Sequence, residues 1–309
     1  MRFTVTYLGT ASAKPVRERN QSAQVLCVRE RFFLMDCGEG TQREMARCHI
    51  PMQRIDSVFI SHVHGDHVFG LPGLLSTMGM EGRTEPLQVF GPANLGPILN
   101  FFLSYYGEGL AFEIRFTPLK MKEPEVILSS KNVEVLAFPL RHGIDTFGYI
   151  FREKEPLWNV RKDAVERLGL SLTEIGTLKQ GGDVVRPDGT VLSHAELAYK
   201  PFVPRSYAYC SDTAVFPEER QFLRGVRFLY HEATFLQEHA DNAYKRFHST
   251  TLEVARLAAE LGVEHLYIGH FSSRNRDGAL YEAECRTLFP ATTAVNDGDV
   301  VEFPFEKAE

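Results

Sequence analysis

The chain has 309 residues, of which 44% are hydrophobic, 24% charged and 11% aromatic, and its formal net charge is −6. This composition excludes collagen-like, low-complexity and disulfide-scaffold classes, and it is too apolar for a disordered chain. The length fits one large domain or two modest ones, and no apolar run approaches the roughly 18 to 20 residues of a membrane-spanning helix. The opening residues 1–7 are strand-like and lack a secretory-signal pattern. Cys27, Cys37, Cys48, Cys210 and Cys285 are odd in number and form no C-x-x-C pair, so they read as reduced thiols of a cytoplasmic protein. Taken alone, the acidic balance argues against a polyanionic partner.

Short apolar runs alternate with helical patterns, which predicts an α/β layered fold. Strands are predicted over 3–8, 24–28 and 32–35, after which Thr41-Gln42-Arg43-Glu44 carries the S/T-x-x-E capping-box pattern of a helix start. Further strands are predicted over 57–60, 88–90, 133–139 and 147–151. Residues 153–204 then offer one short helical pattern (160–168), several glycines and a turn at Pro187-Asp188-Gly189-Thr190. So long a stretch with so little regular pattern reads as a surface insertion, either merely solvated or functional. Strands follow over 207–210 and 227–230. Thr250-Thr251-Leu252-Glu253 repeats the capping pattern, ahead of Val254, Leu257, Ala258 and Leu261 at helical spacing and a stop at Gly262. A last strand is predicted over 265–268. Several of these runs are continuously apolar, as in strands covered on both faces.

The strongest chemical signal is Ser61-His62-Val63-His64-Gly65-Asp66-His67, directly after an apolar strand. Three imidazoles and a carboxylate within six positions are hard to reconcile with packing, because each polar group would need its own buried partner. Imidazole and carboxylate suit a borderline ion such as zinc. His62 and His64 share one side of an extended chain, while Asp66 and His67 lie beyond the turn at Gly65. His142, Asp212, His231 with Glu232, and His270 each sit just past a short apolar strand, and such strand ends share one edge in layered α/β folds. His49, His194, His239 and His265 lack this setting. His248 precedes Ser249-Thr250 at the opening of the capped helix, where a histidine can donate a proton and Glu232 can orient it.

These residues resemble the metallo-β-lactamase superfamily, and within it the ribonuclease Z family. His62-x-His64-x-Asp66-His67 is the superfamily pattern. Tyr7-Leu8-Gly9-Thr10, Asp36-Cys37-Gly38-Glu39-Gly40-Thr41-Gln42, Gly70-Leu71-Pro72-Gly73-Leu74, Ser211-Asp212-Thr213, His231-Glu232-Ala233-Thr234, His248-Ser249-Thr250 and His270-Phe271-Ser272-Ser273-Arg274 are similar to ribonuclease Z in particular. The resemblance implies a single αββα sandwich domain over 1–309, two zinc ions (or manganese) at one edge, and a homodimer. It makes His62, His64 and His142 ligands of one ion and Asp66, His67 and His270 ligands of the other, with Asp212 bridging. Asp36 would brace the ligand loop from behind, and Asp66 would also accept the proton of the attacking water. The segment 153–204 would be an arm that grips the tRNA. There the sequence departs from the family, since Leu172-Thr173-Glu174-Ile175 stands where Gly-Pro is expected, and Asn275 stands where tyrosine is common. Arg17 and Arg19, on a loop resembling a substrate loop, with Lys179 and Arg274, are the implied substrate contacts.

The implied activity is endonucleolytic cleavage of a tRNA precursor, leaving a tRNA 3′-OH and a trailer with a 5′-phosphate, with His248 and Glu232 protonating the leaving oxygen. One alternative is a small-molecule phosphodiesterase or hydrolase of the same superfamily, which needs neither the arm nor the Arg17–Arg19 loop. The other is a non-catalytic RNA-binding protein with structural metal, which would favour a closed, Cys-rich site. With Lys14, Arg17, Arg19, Arg161, Lys162, Arg167 and Lys179 as local cations, the net charge of −6 no longer argues against a nucleic-acid partner.

Overall fold

The computed structural model of the chain describes residues 1–275 and 277–308. They form two compact units, one from Met1–Phe151 and Ser206–Phe303, the other from Arg152–Arg205 with 304–308. The strands in chain order begin with β1 (Phe3–Gly9), β2 (Ala23–Val28), β3 (Arg31–Met35), β4 (Ile55–Phe59), β5 (Leu87–Pro92) and β6 (Ile114–Leu119). Next come β7 (Glu125–Ser129), β8 (Val133–Leu140) and β9 (Thr146–Glu153). The short β10 (Asn159–Val160), β11 (Val184–Val185), β12 (Val191–Leu192) and β13 (Ala198–Tyr199) belong to the second unit. The chain closes with β14 (Ser206–Cys210), β15 (Phe228–Glu232), β16 (His265–Gly269), β17 (Thr292–Ala294) and β18 (Val300–Glu302).

The first unit holds two seven-stranded sheets, in the orders β18-β1-β2-β3-β4-β5-β6 and β17-β16-β15-β14-β9-β8-β7. Both are mixed: β3 to β6 pair in parallel, as do β14 to β17, while β1, β2 and β3 pair antiparallel. Strand periodicity accounts for the layers. In β3, Phe33 and Met35 join the core between the sheets, whereas Phe32 and Leu34 join a second core on the other face. In β14, Tyr207 and Tyr209 face inward while Ala208 and Cys210 face a third core. Aromatic rings mesh across the central layer, with Tyr7 and Tyr230 centroids 5.8 Å apart and Phe59 and Tyr149 5.2 Å apart. Helices Leu71–Met80 and Leu95–Tyr106 cover the outside of the first sheet, and Thr251–Leu261 and Gly278–Arg286 the outside of the second. This is the αββα layering that the resemblance implies. Among the described residues, no helix is long and apolar enough to cross a membrane.

The two capping patterns have different fates. Thr250 accepts from the Glu253 backbone N–H, Glu253 reaches back to the Thr250 N–H, and Gly262 ends the helix at φ +65°. The helix Thr41–Arg47 has no such box. Its N-cap is Gly40 at φ +90°, the Thr41 hydroxyl donates to the Gly38 carbonyl, and Glu44 is taken by Asn20 and Arg47.

The second unit is more regular than its sequence suggests. It contains helices Lys162–Leu168, Leu172–Lys179 and His194–Leu197, with β10 paired to β13 and β11 to β12. Ser171 and Glu174 form a complete capping box at the head of the second helix, and Glu174 also pairs with Arg186 at 2.7 Å. The residues that replace the family's Gly-Pro are thus the first turn of a capped helix. Ala164, Leu170, Leu178, Leu192 and Leu197 give this unit a core of its own.

Arg205 and Glu153 are both fully buried and joined at 2.9 Å. Replacing Arg205 by Met removes the charge that faces buried Glu153 and is expected to cost about 3–5 kcal/mol, whereas replacing both partners with apolar residues costs much less. Denaturant melts followed by Trp158, the sole tryptophan and a residue of this unit, check the difference. Equal losses in the single and double variants would overturn it.

Candidate metal centre and active site

The ligand-rich segment leaves β4 and runs straight into a short helix, Gly65–Val68, with extended His64 as its N-cap. It is stitched to the loop after β3: Cys37 N–H donates to the His67 carbonyl, and Gly70 N–H donates to the Cys37 carbonyl. The approach is so close that a Cβ on Gly38 would lie 2.4 Å from the Asp66 carbonyl oxygen, so only glycine fits there. Asp36, fully buried, stands behind this segment. One carboxylate oxygen accepts from Ser61 N–H at 2.7 Å; the other accepts from the Ser61 hydroxyl at 2.8 Å, Tyr209 OH at 2.6 Å and His67 Nδ1 at 2.7 Å.

The remaining polar groups arrive from strand ends. His142 follows β8, Asp212 follows β14 and His270 follows β16, and the parallel register of β14, β15 and β16 brings their C-terminal ends level. Two groups result, His62–His64–His142–Asp212 and Asp66–His67–Asp212–His270, each with donor atoms within 4.8 Å of one another. Asp212 belongs to both. Its Oδ2 lies 3.6 Å from His62 Nε2 and 3.9 Å from His142 Nε2, while its Oδ1 lies 3.4 Å from His67 Nε2 and 3.1 Å from His270 Nε2. Asp66 Oδ2 is 3.4 Å from both His67 Nε2 and His270 Nε2.

Hydrogen bonds fix each ring from behind. His67 Nδ1 bonds Asp36, His142 Nδ1 bonds the Phe247 carbonyl at 3.0 Å, His270 Nδ1 bonds Thr234 Oγ1 at 2.8 Å, and His62 Nδ1 bonds Ser61 Oγ at 2.9 Å. All four therefore present Nε2 to the centre, whereas His64 turns Nδ1 toward His62 and His142. Binding the rear nitrogen in this way selects the tautomer and raises ligand basicity. His67 Nε2 and Asp212 Oδ1 are buried without a hydrogen-bond partner. Such orphans are costly in an interior, and a cation between these donors satisfies both. The donor set fits metal.

The electrostatics point the same way. Burial would raise the Asp66 carboxyl, but His67 and the His270 hydrogen bond hold it well below the usual carboxylate range. Burial likewise opposes ionisation of Asp212, and His270, His67 and His248 reverse this. Burial, then His67, pushes His62 well below the ordinary imidazole value, which leaves its ring neutral and ready to bind metal.

Beside this edge, His248 Nδ1 bonds Glu232 Oε1 at 2.8 Å, and His248 Nε2 faces Asp212 Oδ2 at 4.0 Å. Glu232 is fully buried and also accepts from the Thr213, Ser249 and Thr234 backbone N–H groups. Burial alone would lower His248, but Glu232 and then Asp212 hold it up at about 9. It lines a cavity of about 660 Å³ together with His64, Asp66, His142, Asp212 and His270, with Lys14, Arg246 and Arg274 at the rim.

Three placements differ from the sequence reading. His231 lies within β15 and faces the opposite layer, where its Nε2 pairs with buried Glu219 at 3.1 Å, because adjacent strand residues point to opposite faces. Arg19 is turned inward, bonding Thr10, the Val295 carbonyl and Asn296 and stacking over Phe271, so it braces the loop and is not offered to substrate. Arg17 is exposed but does not line the cavity. Arg274 does line it, and Lys179 is exposed at the end of its helix in the second unit. Sequence reasoning overlooked Arg246, although the Lys245-Arg246 pair lies two residues before His248. It also overlooked Thr234, which links Glu232 to His270.

Known proteins resemble this chain in sequence and fold. A family profile described as "Anti-Pycsar protein Apyc1" matches residues 3–151. Ribonuclease Z of Parabacteroides distasonis is 37% identical over 296 residues, covering 96% of this chain and 97% of its own length. Ribonuclease Z of Cytophaga hutchinsonii is 41% identical over 299 residues, covering 96% and 95%. The crystal structure of human tRNase Z, short form, is 25% identical with a TM-score of 0.70, and the match covers 97% of this chain and 99% of that one. Near full-length identity at this level, on a shared fold, means that the chain belongs to the ribonuclease Z family, metal-dependent endonucleases of the metallo-β-lactamase fold.

Proposed function

We propose that the chain cuts tRNA precursors at the 3′ side of the tRNA, leaving a 3′-OH on the tRNA and a 5′-phosphate on the trailer, with two zinc ions at the strand-end edge. The observation that carries this reading is Asp212, which turns one carboxylate oxygen to each of two histidine groups beside a cavity-lining His248. His62, His64 and His142 hold one ion, Asp66, His67 and His270 hold the other, and Asp212 serves both. Zinc suits this mixed imidazole and carboxylate set, and manganese is the alternative. Bound there, such ions supply Lewis-acid charge at a phosphate and acidify water near neutral pH.

The chain's own groups supply the proton transfers. Asp66 is kept ionised by His67 and accepts the proton of the attacking water. His248 gives its Nε2 proton to the departing 3′ oxygen, and Glu232, bonded to Nδ1, stabilises the charged ring and fixes its direction. Asp36 holds His67 and Ser61 from behind and so sets the ligand segment. Arg274, Lys14 and Arg246 at the rim engage phosphates. The segment 153–204 acts as the arm that grips the tRNA, with exposed Lys179, Arg161, Lys162 and Arg167 as its cations, and the enzyme works as a cytoplasmic homodimer.

The direct test is purified protein on a labelled tRNA precursor, with and without chelator and with the cut mapped. Cleavage of a simple phosphodiester but of no precursor would favour the small-molecule alternative. Asp212→Ala is expected to lose metal and activity together. His248→Ala is expected to keep its metal while cleavage slows by roughly 10²- to 10⁴-fold. Metal analysis beside single-turnover cleavage separates the two variants, and the reverse pattern would sink the assignment. Lys179→Ala is expected to weaken precursor binding without changing the rate at saturation, and to flatten the slope of log affinity against log salt by about 1. An unchanged slope would remove Lys179 from the contact surface.

A further inference from the structure

We propose that a second cavity, on the other side of His248 from the metal centre, seats the base of the nucleotide that retains the 3′-OH after cleavage. The inference rests on the reading of His248 as the group that protonates the leaving 3′ oxygen. That oxygen belongs to the ribose of the last product nucleotide. A proton donor to it stands on that nucleotide's side of the phosphate, and the base attached to that ribose must lie on the same side.

The structure has a place for it there. A cavity of about 290 Å³ is lined by Arg141, Val215, Tyr244, Lys245, Phe247 and His248, so His248 is a wall common to both cavities. Tyr244 is 81% exposed and Phe247 41% exposed, so two aromatic rings at this cavity are open to solvent. Unpaired bases stack on such faces, and the exposed cations Arg141 and Lys245 flank the shelf where a phosphodiester backbone would run. The shelf is also held rigidly to the metal edge. Phe247 has φ +56°, a left-handed conformation that a bulky side chain adopts only under constraint, and its carbonyl accepts from His142 Nδ1. Arg141 is pinned through its backbone to Thr213 Oγ1 at 2.9 Å and to Ala214 N–H at 2.9 Å, beside Asp212.

Glu253, the remaining polar side chain at this cavity, is engaged in capping its own helix. With two aromatic faces and two flanking cations, the cavity is built first for stacking, which every base offers, so it requires a base and depends little on which one. The test combines two changes. Tyr244→Ala, at an exposed position where truncation spares the core, is assayed on precursors with the last tRNA nucleotide intact or abasic. Each change alone is expected to lower kcat/KM roughly 10- to 100-fold, the range for loss of one base–aromatic stack, and the two together to lower it little further. Tyr244→Phe should retain the wild-type value on the intact precursor, and changing the base identity there should matter little. Losses that multiply, or coupling of Tyr244 to an abasic site one nucleotide into the trailer, would overturn the assignment while precursors are still cut at the expected bond. A wild-type enzyme that cuts no precursor would overturn the functional reading itself, and this inference with it.

Discussion

The site depends on one buried carboxylate. Asp36 directly follows β3 of the first sheet, yet it accepts hydrogen bonds from Ser61 and His67 on the ligand segment and from Tyr209 on β14 of the second sheet. Both halves of the sandwich therefore converge on a single side chain. A carboxylate removed from water is tolerable only when charge-assisted hydrogen bonds replace its hydration, and here five donors do so, Ser211 Oγ being the fifth at 3.3 Å. The arrangement works in both directions. The donors replace the carboxylate's lost hydration, and the carboxylate fixes His67 so that Nε2 points at Asp212. Asp36 touches no group that faces the cavity directly except through these intermediaries, so its influence is wholly positional.

The backbone around the centre is also unusual. Six described residues other than glycine have positive φ, and three of them surround the site: Asp36, His270 and Phe247. Aspartate and histidine tolerate the left-handed region better than most side chains, and phenylalanine does not. Such conformations persist where neighbours over-determine them. At Asp36 the five donors do this, at His270 the bond to Thr234, and at Phe247 the bond from His142. Each left-handed residue turns the chain sharply at a strand or helix end, which lets donors from separate strands converge within a few ångströms.

Much of this was legible in the sequence, for physical reasons that also explain the rest. Strands covered on both faces are apolar throughout, so β3, β4, β14 and β16 stood out. The strands β6 and β7 lie at sheet edges and are half exposed, β6 also carries Pro118, and β17 and β18 are three residues long; none had enough apolar pattern to be seen. The six-residue cluster from His62 to His67 was local and therefore visible, and the strand-end rule located His142, Asp212 and His270. The same rule misplaced His231, since one step along a strand reverses the face. Thr41 and Thr250 head identical four-residue patterns, but only at Thr250 is the glutamate free to close the box. Charge alone likewise failed to separate Arg19, consumed by internal bonds, from Arg246 and Arg274, which reach the rim. Local patterns report what a residue can do. Tertiary competition for its hydrogen bonds decides what it does.

The same distinction resolves how an acidic chain can serve a polyanion. Among its 40 acidic residues, Asp36, Asp66, Asp212 and Glu232 sit buried at the centre, where water screens them least and their charge would repel a phosphate most strongly. None presents that charge unopposed. Asp36 and Glu232 are saturated by hydrogen bonds from their own chain, and Asp66 and Asp212 face imidazoles across gaps that suit cations. Acids on the distant surface are screened beyond about 8 Å at physiological salt, so they contribute little at the cavity. What an incoming phosphodiester would meet is the local field, set by any cation held between these donors and by the exposed Lys14, Arg246 and Arg274. The buried carboxylates thus favour polyanion binding indirectly, because they concentrate the positive charge at the one edge where it is needed.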